Sequence, residues 1–215
     1  MSPLRREGTV VVLSRVPLAG RSKTRLIPAL GAEGAASLAA AMAEDVFATV
    51  ARSGLPWRIA VEGPLDHPWT RALPAPCEAQ PEGDLGERLT VALRGGGIAI
   101  GADAPLLPLE TLHAAARSAA QVCLAPATDG GYVLVGVSAA AVARGIFTGV
   151  PWSVAETGRA QVERAGALDL SVELLPTCFD VDLPADLTTL RDALAAAPPD
   201  VARACRRWFA ARASL

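Results

Sequence analysis

Short apolar runs alternate along the chain with longer stretches in which apolar residues recur every three or four positions. Residues 10–13 are short and β-branched, with Pro17 and Gly20 close behind, and read as a buried strand. The runs at 58–61, 97–101, 122–125 and 133–137 read the same way. Between them, Leu38, Met42, Val46 and Val50 fall four apart with Phe47 widening the stripe, which predicts a helix over 32–52. Asp84 followed by Glu87 is an acidic capping box that starts a helix over 85–94. Further helices are predicted over 109–118, 155–165, 184–197 and 200–212, the last carrying Val201, Cys205, Trp208 and Phe209 on one side. Residues 168–175 alternate enough for an edge strand, and the Pro-rich 63–83 region reads as loop with one strand near Cys77. Alternation of this kind predicts a mostly parallel sheet covered on both faces, an α/β/α sandwich.

At 215 residues, one domain over 1–215 is expected. A net charge of −2 gives no global field to hold a nucleic acid, so that class of partner is not expected. The basic N-terminus is followed by an apolar run too short for a signal peptide, and the alanine-rich 35–43 segment, closed by Glu44 and Asp45, is too short to cross a bilayer. A cytoplasmic protein without a membrane partner is the expectation. The four cysteines form no C-x-x-C pair, which leaves zinc ribbons and redox motifs unsupported.

In sheets of this class ligands bind beyond the carboxyl ends of strands, so the loops there are where chemistry is sought. The loop after the first strand, "PLAGRSKTRL", holds Gly20 and the cations Arg21, Lys23 and Arg25. It lacks the glycine spacing of a Walker A loop, yet Lys23 and Arg25 can neutralise a polyphosphate. A solvated turn is the alternative. In "GADAP", Asp103 at the end of a buried strand suits a hard cation such as Mg²⁺ or Mn²⁺, or it caps the next helix. "TDGGY" offers Asp129, two glycines that let backbone approach a ligand, and Tyr132; a plain hairpin turn competes. In "DVDLPADL", Asp180 and Asp182 alternate and either completes a metal site, whereas Asp186 sits where an anion favours a helix start.

Six motifs, "PLAGRSKTRL", "QPEGDLGERL", "GADAPLL", "APATDGGYVLVGV", "FTGVPWS" and "DVDLPADL", occur in an order that resembles the radical-SAM/selenodomain-associated transferase 1 family, an arsenosugar-biosynthesis-type glycosyltransferase family. That family is related to 2-phospholactate guanylyltransferase and to molybdenum-cofactor nucleotidyltransferases. The likeness covers about residues 10–190 and leaves out the C-terminal helix at 198–215. It implies a Rossmann-like GT-A-type nucleotide-diphospho-sugar transferase fold, an NTP or sugar nucleotide with a small-molecule acceptor, and Mg²⁺ or Mn²⁺. By position it implies that Gly20, Lys23, Arg25, Gln80, Gly83 and Asp84 face the nucleotide. Glu87, Arg88, Gly130, Gly131 and Tyr132 are implied on the acceptor side. Asp103 resembles the first metal ligand, and Asp180 or Asp182 the second. Nucleotidyl transfer needs no protein nucleophile; for glycosyl transfer Asp129 stands as base beside Asp103. Ala102 and Ala104 depart from the pattern, which keeps a non-catalytic nucleotide-binding paralogue as the alternative. The amphipathic C-terminal helix docks on its own domain or on a second copy.

Overall fold

A computed structural model describes residues 9–212; the basic stretch at 1–8 lies outside the described residues. Seven strands form one sheet, β1 (Val10–Arg15), β2 (Trp57–Glu62), β3 (Cys77–Ala79), β4 (Gly97–Gly101), β5 (Val122–Pro126), β6 (Tyr132–Val137) and β7 (Val172–Leu174), in the order β3-β2-β1-β4-β6-β5-β7. All pairs are parallel except those of β6, which runs antiparallel to β4 and β5. The sheet is mostly parallel, as expected, with the β5–β6 hairpin as its exception.

Among the described residues eight α-helices flank it: α1 (Ile27–Arg52), α2 (Pro68–Arg71), α3 (Leu85–Ala92), α4 (Leu109–Arg117), α5 (Ala139–Ala143), α6 (Thr157–Ala167), α7 (Pro184–Ala196) and α8 (Arg203–Ala210). The α1 stripe is the one the sequence periodicity picks out: Leu38, Met42, Val46 and Val50 are fully buried. Thr24–Arg52 is long and apolar enough to cross a membrane by length and composition only. Here its stripe packs into two cores, with Val46, Phe47 and Val50 against β1, β2 and α4 and with Leu38 and Met42 against α7 and α8. The opposite face of the sheet is covered by α3, α5 and α6 around Leu93, Leu124, Val135 and Ile146.

The C-terminal helix docks on its own chain. Asp45, buried in α1, accepts backbone N–H bonds from Ala204 and Cys205 at 2.8 Å each, supplying an anion to the first turn of α8. Burial pushes this carboxyl above its ordinary value although both N–H donors work the other way. Asp45→Ala leaves two buried donors unpaired, and we expect a loss of about 2–3 kcal/mol, read as a shift of the urea midpoint at constant slope.

The strand order places the site. The chain leaves β1 for β2 and β3 on one side, then returns to β4 on the other, so a crevice opens between the carboxyl ends of β1 and β4. Because β5 and β7 point the same way as β4, the loop 127–131 and the segment 178–182 emerge at that same edge. An isolated bridge between Ala127 and Cys178 ties the two together.

Candidate active site

The loop after β1 is held by its own polar groups. The buried Ser22 hydroxyl donates to Val16 O and accepts from Leu18 N–H, while Arg21 N–H and Ser22 N–H both donate to Leu18 O. Gly20 supplies the positive φ this tight turn requires. The turn delivers Lys23 into the crevice at φ 46°, a left-handed conformation that a residue with a Cβ adopts at a cost.

Lys23 Nζ donates to Asp103 Oδ2 at 2.9 Å and to Asp182 Oδ1. Its side chain is 14% exposed. Burial alone would lower the ammonium, but Asp103 and Asp182 override it and raise the group above its ordinary value. Burial likewise pushes the Asp103 carboxyl up, and the Lys23 ammonium beside it wins, holding it below the usual carboxylate range. Asp103 folds back over β4, where a Cβ at Gly101 would lie 2.6 Å from its Oδ1. Its backbone carbonyl accepts from Val181 N–H, which brings the 180–182 segment alongside. Arg25 stands at the rim, 3.8 Å from Asp182 Oδ2.

A second cluster adjoins this pair. Asp129, Asp180 and Asp182 each offer a carboxylate oxygen, all within 4.8 Å of one another. Asp180 is pushed up to about 7 by burial and by the charges of Asp103, Asp129 and Asp182, only partly offset by Lys23. Three hard oxygens at this spacing could hold a hard cation. The sequence pointed to Asp103 with Asp180 or Asp182 as ligands; the structure puts Asp129 with Asp180 and Asp182, and engages Asp103 with Lys23.

Asp180 carries a pH signature. In the unfolded chain an Asp titrates near about 3.9, so between about pH 4 and 7 the folded state retains a proton that the unfolded state has released. Stability therefore falls across that window and levels off above it. Asp180→Asn cannot ionise; allowing for solvent screening on its open side, it should be more stable than wild type by about 1–2 kcal/mol above pH 7 and equal below pH 4. Urea titrations at several pH values without divalent ions measure this difference.

The remaining candidates divide. Lys23, Arg25, Gln80, Gly83, Asp84, Arg88, Asp103 and Asp182 border one groove of about 660 Å³. Gln80 is fully engaged: its Nε2 donates to Ser14 O and Ala60 O, and its Oε1 accepts from Arg88 Nη1. Asp84 and Glu87 complete the capping box of α3, each side chain accepting from the other's backbone N–H, and Glu87 does not border the groove. Gly130, Gly131 and Tyr132 border a separate cavity of about 280 Å³ behind the 127–131 loop. The Tyr132 hydroxyl donates to Gln161 Oε1, and burial holds its proton far above the ordinary range.

Glu62, Trp152 and Ser153 are among the groove residues that the sequence reading did not assign. Glu62, at the end of β2, accepts from Arg15 Nη2 and Arg88 Nη1, burial being outweighed by the two guanidiniums that hold its carboxyl low. The signal was there, since a carboxylate closing an apolar strand is the same cue that singled out Asp103. Trp152 and Ser153 also border the groove, the indole packed so closely on α3 that a Cβ at Gly86 would lie 2.8 Å from its Nε1.

With this geometry in view, comparisons place the chain among known proteins. A family model described as "Uncharacterized protein conserved in bacteria (DUF2064)" matches residues 42–154, just over half of the sequence. A comparison with curated proteins returns no match. Among solved structures, the chain is similar to a protein from Desulfovibrio desulfuricans G20 given provisionally as a nucleotide-diphospho-sugar transferase. The TM-score is 0.84 at 27% identity, over 94% of this chain and 95% of that one. A CMP:2-keto-3-deoxy-manno-octonic acid synthetase complexed with CTP shares the fold at TM-score 0.55 and 12% identity, over 87% of this chain and 98% of that one. The fold is thus that of the nucleotide-diphospho-sugar transferases, the α/β arrangement the sequence predicted.

Proposed function

We propose, starting from a chain that belongs to the DUF2064 family of uncharacterized bacterial proteins, that it is a transferase using a nucleotide or nucleotide-sugar substrate. The observation that carries this reading is the meeting of Lys23 and Arg25 with Asp103, Asp182 and their neighbours Asp129 and Asp180 at one sheet edge. The likeness to the nucleotide-diphospho-sugar transferase structure and the six motifs support it.

Asp129, Asp180 and Asp182 would hold Mg²⁺ or Mn²⁺, with Asp103 on the Lys23 side. When bound, such an ion neutralises phosphate charge and polarises a phosphoryl oxygen. Lys23 and Arg25 bind the phosphates and stabilise the charge of the leaving group, Arg25 by bidentate contact and Lys23 as a point charge. Gln80, Gly83 and Asp84 shape the nucleotide end of the groove, with Arg88 braced by Glu62 beside them; Gly20 does not border it and acts through the turn that delivers Lys23.

Nucleotidyl transfer to an anionic small molecule suits these groups best. An acceptor oxygen that is already ionised attacks the α-phosphorus, and the bond to the bridging oxygen breaks with its electron pair leaving on pyrophosphate. No protein base is required, and the residues that could serve as one are engaged: Asp129 lies in the carboxylate cluster, Tyr132 is bonded to Gln161, and His67 and His113 engage Trp69 N–H and Ser53 O. One observation favours glycosyl transfer instead: the similar structure from Desulfovibrio desulfuricans G20 is described as a nucleotide-diphospho-sugar transferase.

A melting screen of nucleoside triphosphates and sugar nucleotides, with and without Mg²⁺ or Mn²⁺, tests the proposal. A true substrate at 100 times its dissociation constant adds about 2.7 kcal/mol of stability. Turnover releasing pyrophosphate establishes nucleotidyl transfer, and release of a nucleoside diphosphate establishes glycosyl transfer. No nucleotide-dependent shift in any combination would sink both.

A further inference from the structure

Lys23 is an odd residue to find where it is. It holds a left-handed backbone at φ 46°, ψ 50°, its side chain is largely withdrawn from water, and its ammonium lies between two carboxylates from segments 80 and 159 positions away. One of them, Asp182, also belongs to the cluster with Asp129 and Asp180. A positive charge therefore already sits against the oxygens that a divalent cation would use.

We propose that the Lys23 ammonium is a displaceable counter-ion. In the unliganded protein it neutralises Asp103 and Asp182 and competes with a divalent cation for them; when the cation binds, the ammonium swings out towards the groove. The inference rests on the carboxylate cluster being a cation site, as proposed above. A single ammonium cannot serve both the carboxylates and an incoming phosphate at full strength. Any anionic phosphate that draws Lys23 away thereby opens the carboxylates to the cation, and the cation in turn frees Lys23 for phosphate. The two ligands then favour each other reciprocally, through one side chain. The turn is built for such a move, because Ser22 and Gly20 fix the loop on the near side while Leu26 N–H donates to Lys23 O on the far side. The backbone stays anchored and the side chain alone travels.

Mn²⁺ alone is the probe, with free Mn²⁺ followed by electron paramagnetic resonance in wild type, Lys23→Met, Lys23→Gly and Arg25→Met. Lys23→Gly suits the positive φ and guards against a folding defect in the Met variant. Both Lys23 variants should bind Mn²⁺ about tenfold more tightly than wild type, and Arg25→Met, which removes an equal charge 3.8 Å away, should change binding by less than about threefold. In wild type, acylation of Lys23 by a small amine-reactive acyl donor such as acetic anhydride, which loses acetate, should rise when Mg²⁺ saturates the protein. Unchanged or weaker Mn²⁺ binding in both Lys23 variants overturns the proposal. So do an equal gain in Arg25→Met, a fall in Lys23 labelling with Mg²⁺, and the absence of Mn²⁺ binding throughout. Failure of the nucleotide screen would overturn the transferase reading and leave these outcomes standing.

Discussion

Asp182→Asn will reduce turnover by about a thousandfold or more while leaving the protein folded. Asp182 joins the cationic loop to the carboxylate cluster. Asp182 accepts from Lys23, faces Arg25, and shares the cluster with Asp129 and Asp180. The amide keeps the shape and the local anchor, since it is the backbone N–H of Asp182 that donates to Asp186 Oδ2. What it loses is charge: one of the cluster's oxygens becomes a neutral acceptor, and Lys23 loses half of its counter-charge. Steady-state rates with the substrate found by melting, together with loss of the divalent-dependent part of the melting shift, check this. A variant within tenfold of wild type would remove Asp182 from the chemistry.

The second large effect is structural. At Gly130, φ is 93° and a Cβ would lie 2.1 Å from the Ala155 carbonyl oxygen, with the Ala155 carbon close behind. The obstacle is main chain, so no flexible side chain can yield. That main chain is itself fixed, because Gly158 N–H donates to Gly130 O at 2.9 Å. Gly130→Ala must therefore pull the 127–131 loop from α6, and we expect a loss of about 3 kcal/mol or more, combining backbone strain with overpacking. Asp129 moves with the loop, so Mn²⁺ affinity should fall as well. Gly149→Ala is the comparison: φ is 75° but nothing lies within 4 Å of the added carbon. It should cost about 1 kcal/mol, the conformational strain alone. Equal effects in the two variants would mean that the close approach at Gly130 carries no weight.

Much of the fold was legible because periodicity and termini are local. The α1 stripe, the α3 capping box and five central strand runs needed only neighbouring residues. The discrepancies have specific physical causes. The continuous part of α1 begins after Gly31, whose φ 69°, ψ 167° is not helical, as the predicted start at 32 has it; the short helical turn at 27–30 that precedes it has no periodic signal of its own. α5 is four alanines and a valine, with no polar residue to give a period, and packs Ala141 and Val142 only because Ser138 caps it. α8 starts at Arg203, after Ala202 turns left-handed at φ 50°, a conformation nothing in alanine announces. α6 starts at Thr157 because the preceding backbone is held against Gly130.

The site divides along the same line. Residue types at strand ends flagged Lys23, Asp103, Asp129, Asp180 and Asp182 as candidates. Which of them would touch could not be read, because their spacing is set by the order of strands, which no local pattern encodes. Glu87 illustrates the opposite case, since the pattern that marked it, three residues after Asp84, is fully spent on the helix cap.

The crevice draws its charged groups from widely separated stretches: Lys23 follows β1, Asp103 follows β4, Asp129 precedes β6, and Asp180 and Asp182 follow β7. During synthesis the last two leave the ribosome only after more than four-fifths of the 215 residues. Until then Lys23 has one carboxylate partner of its two, and Asp129 has neither neighbour. A nascent or truncated chain that stops before residue 180 is thus barred from assembling this charge pattern, however well its earlier strands have paired.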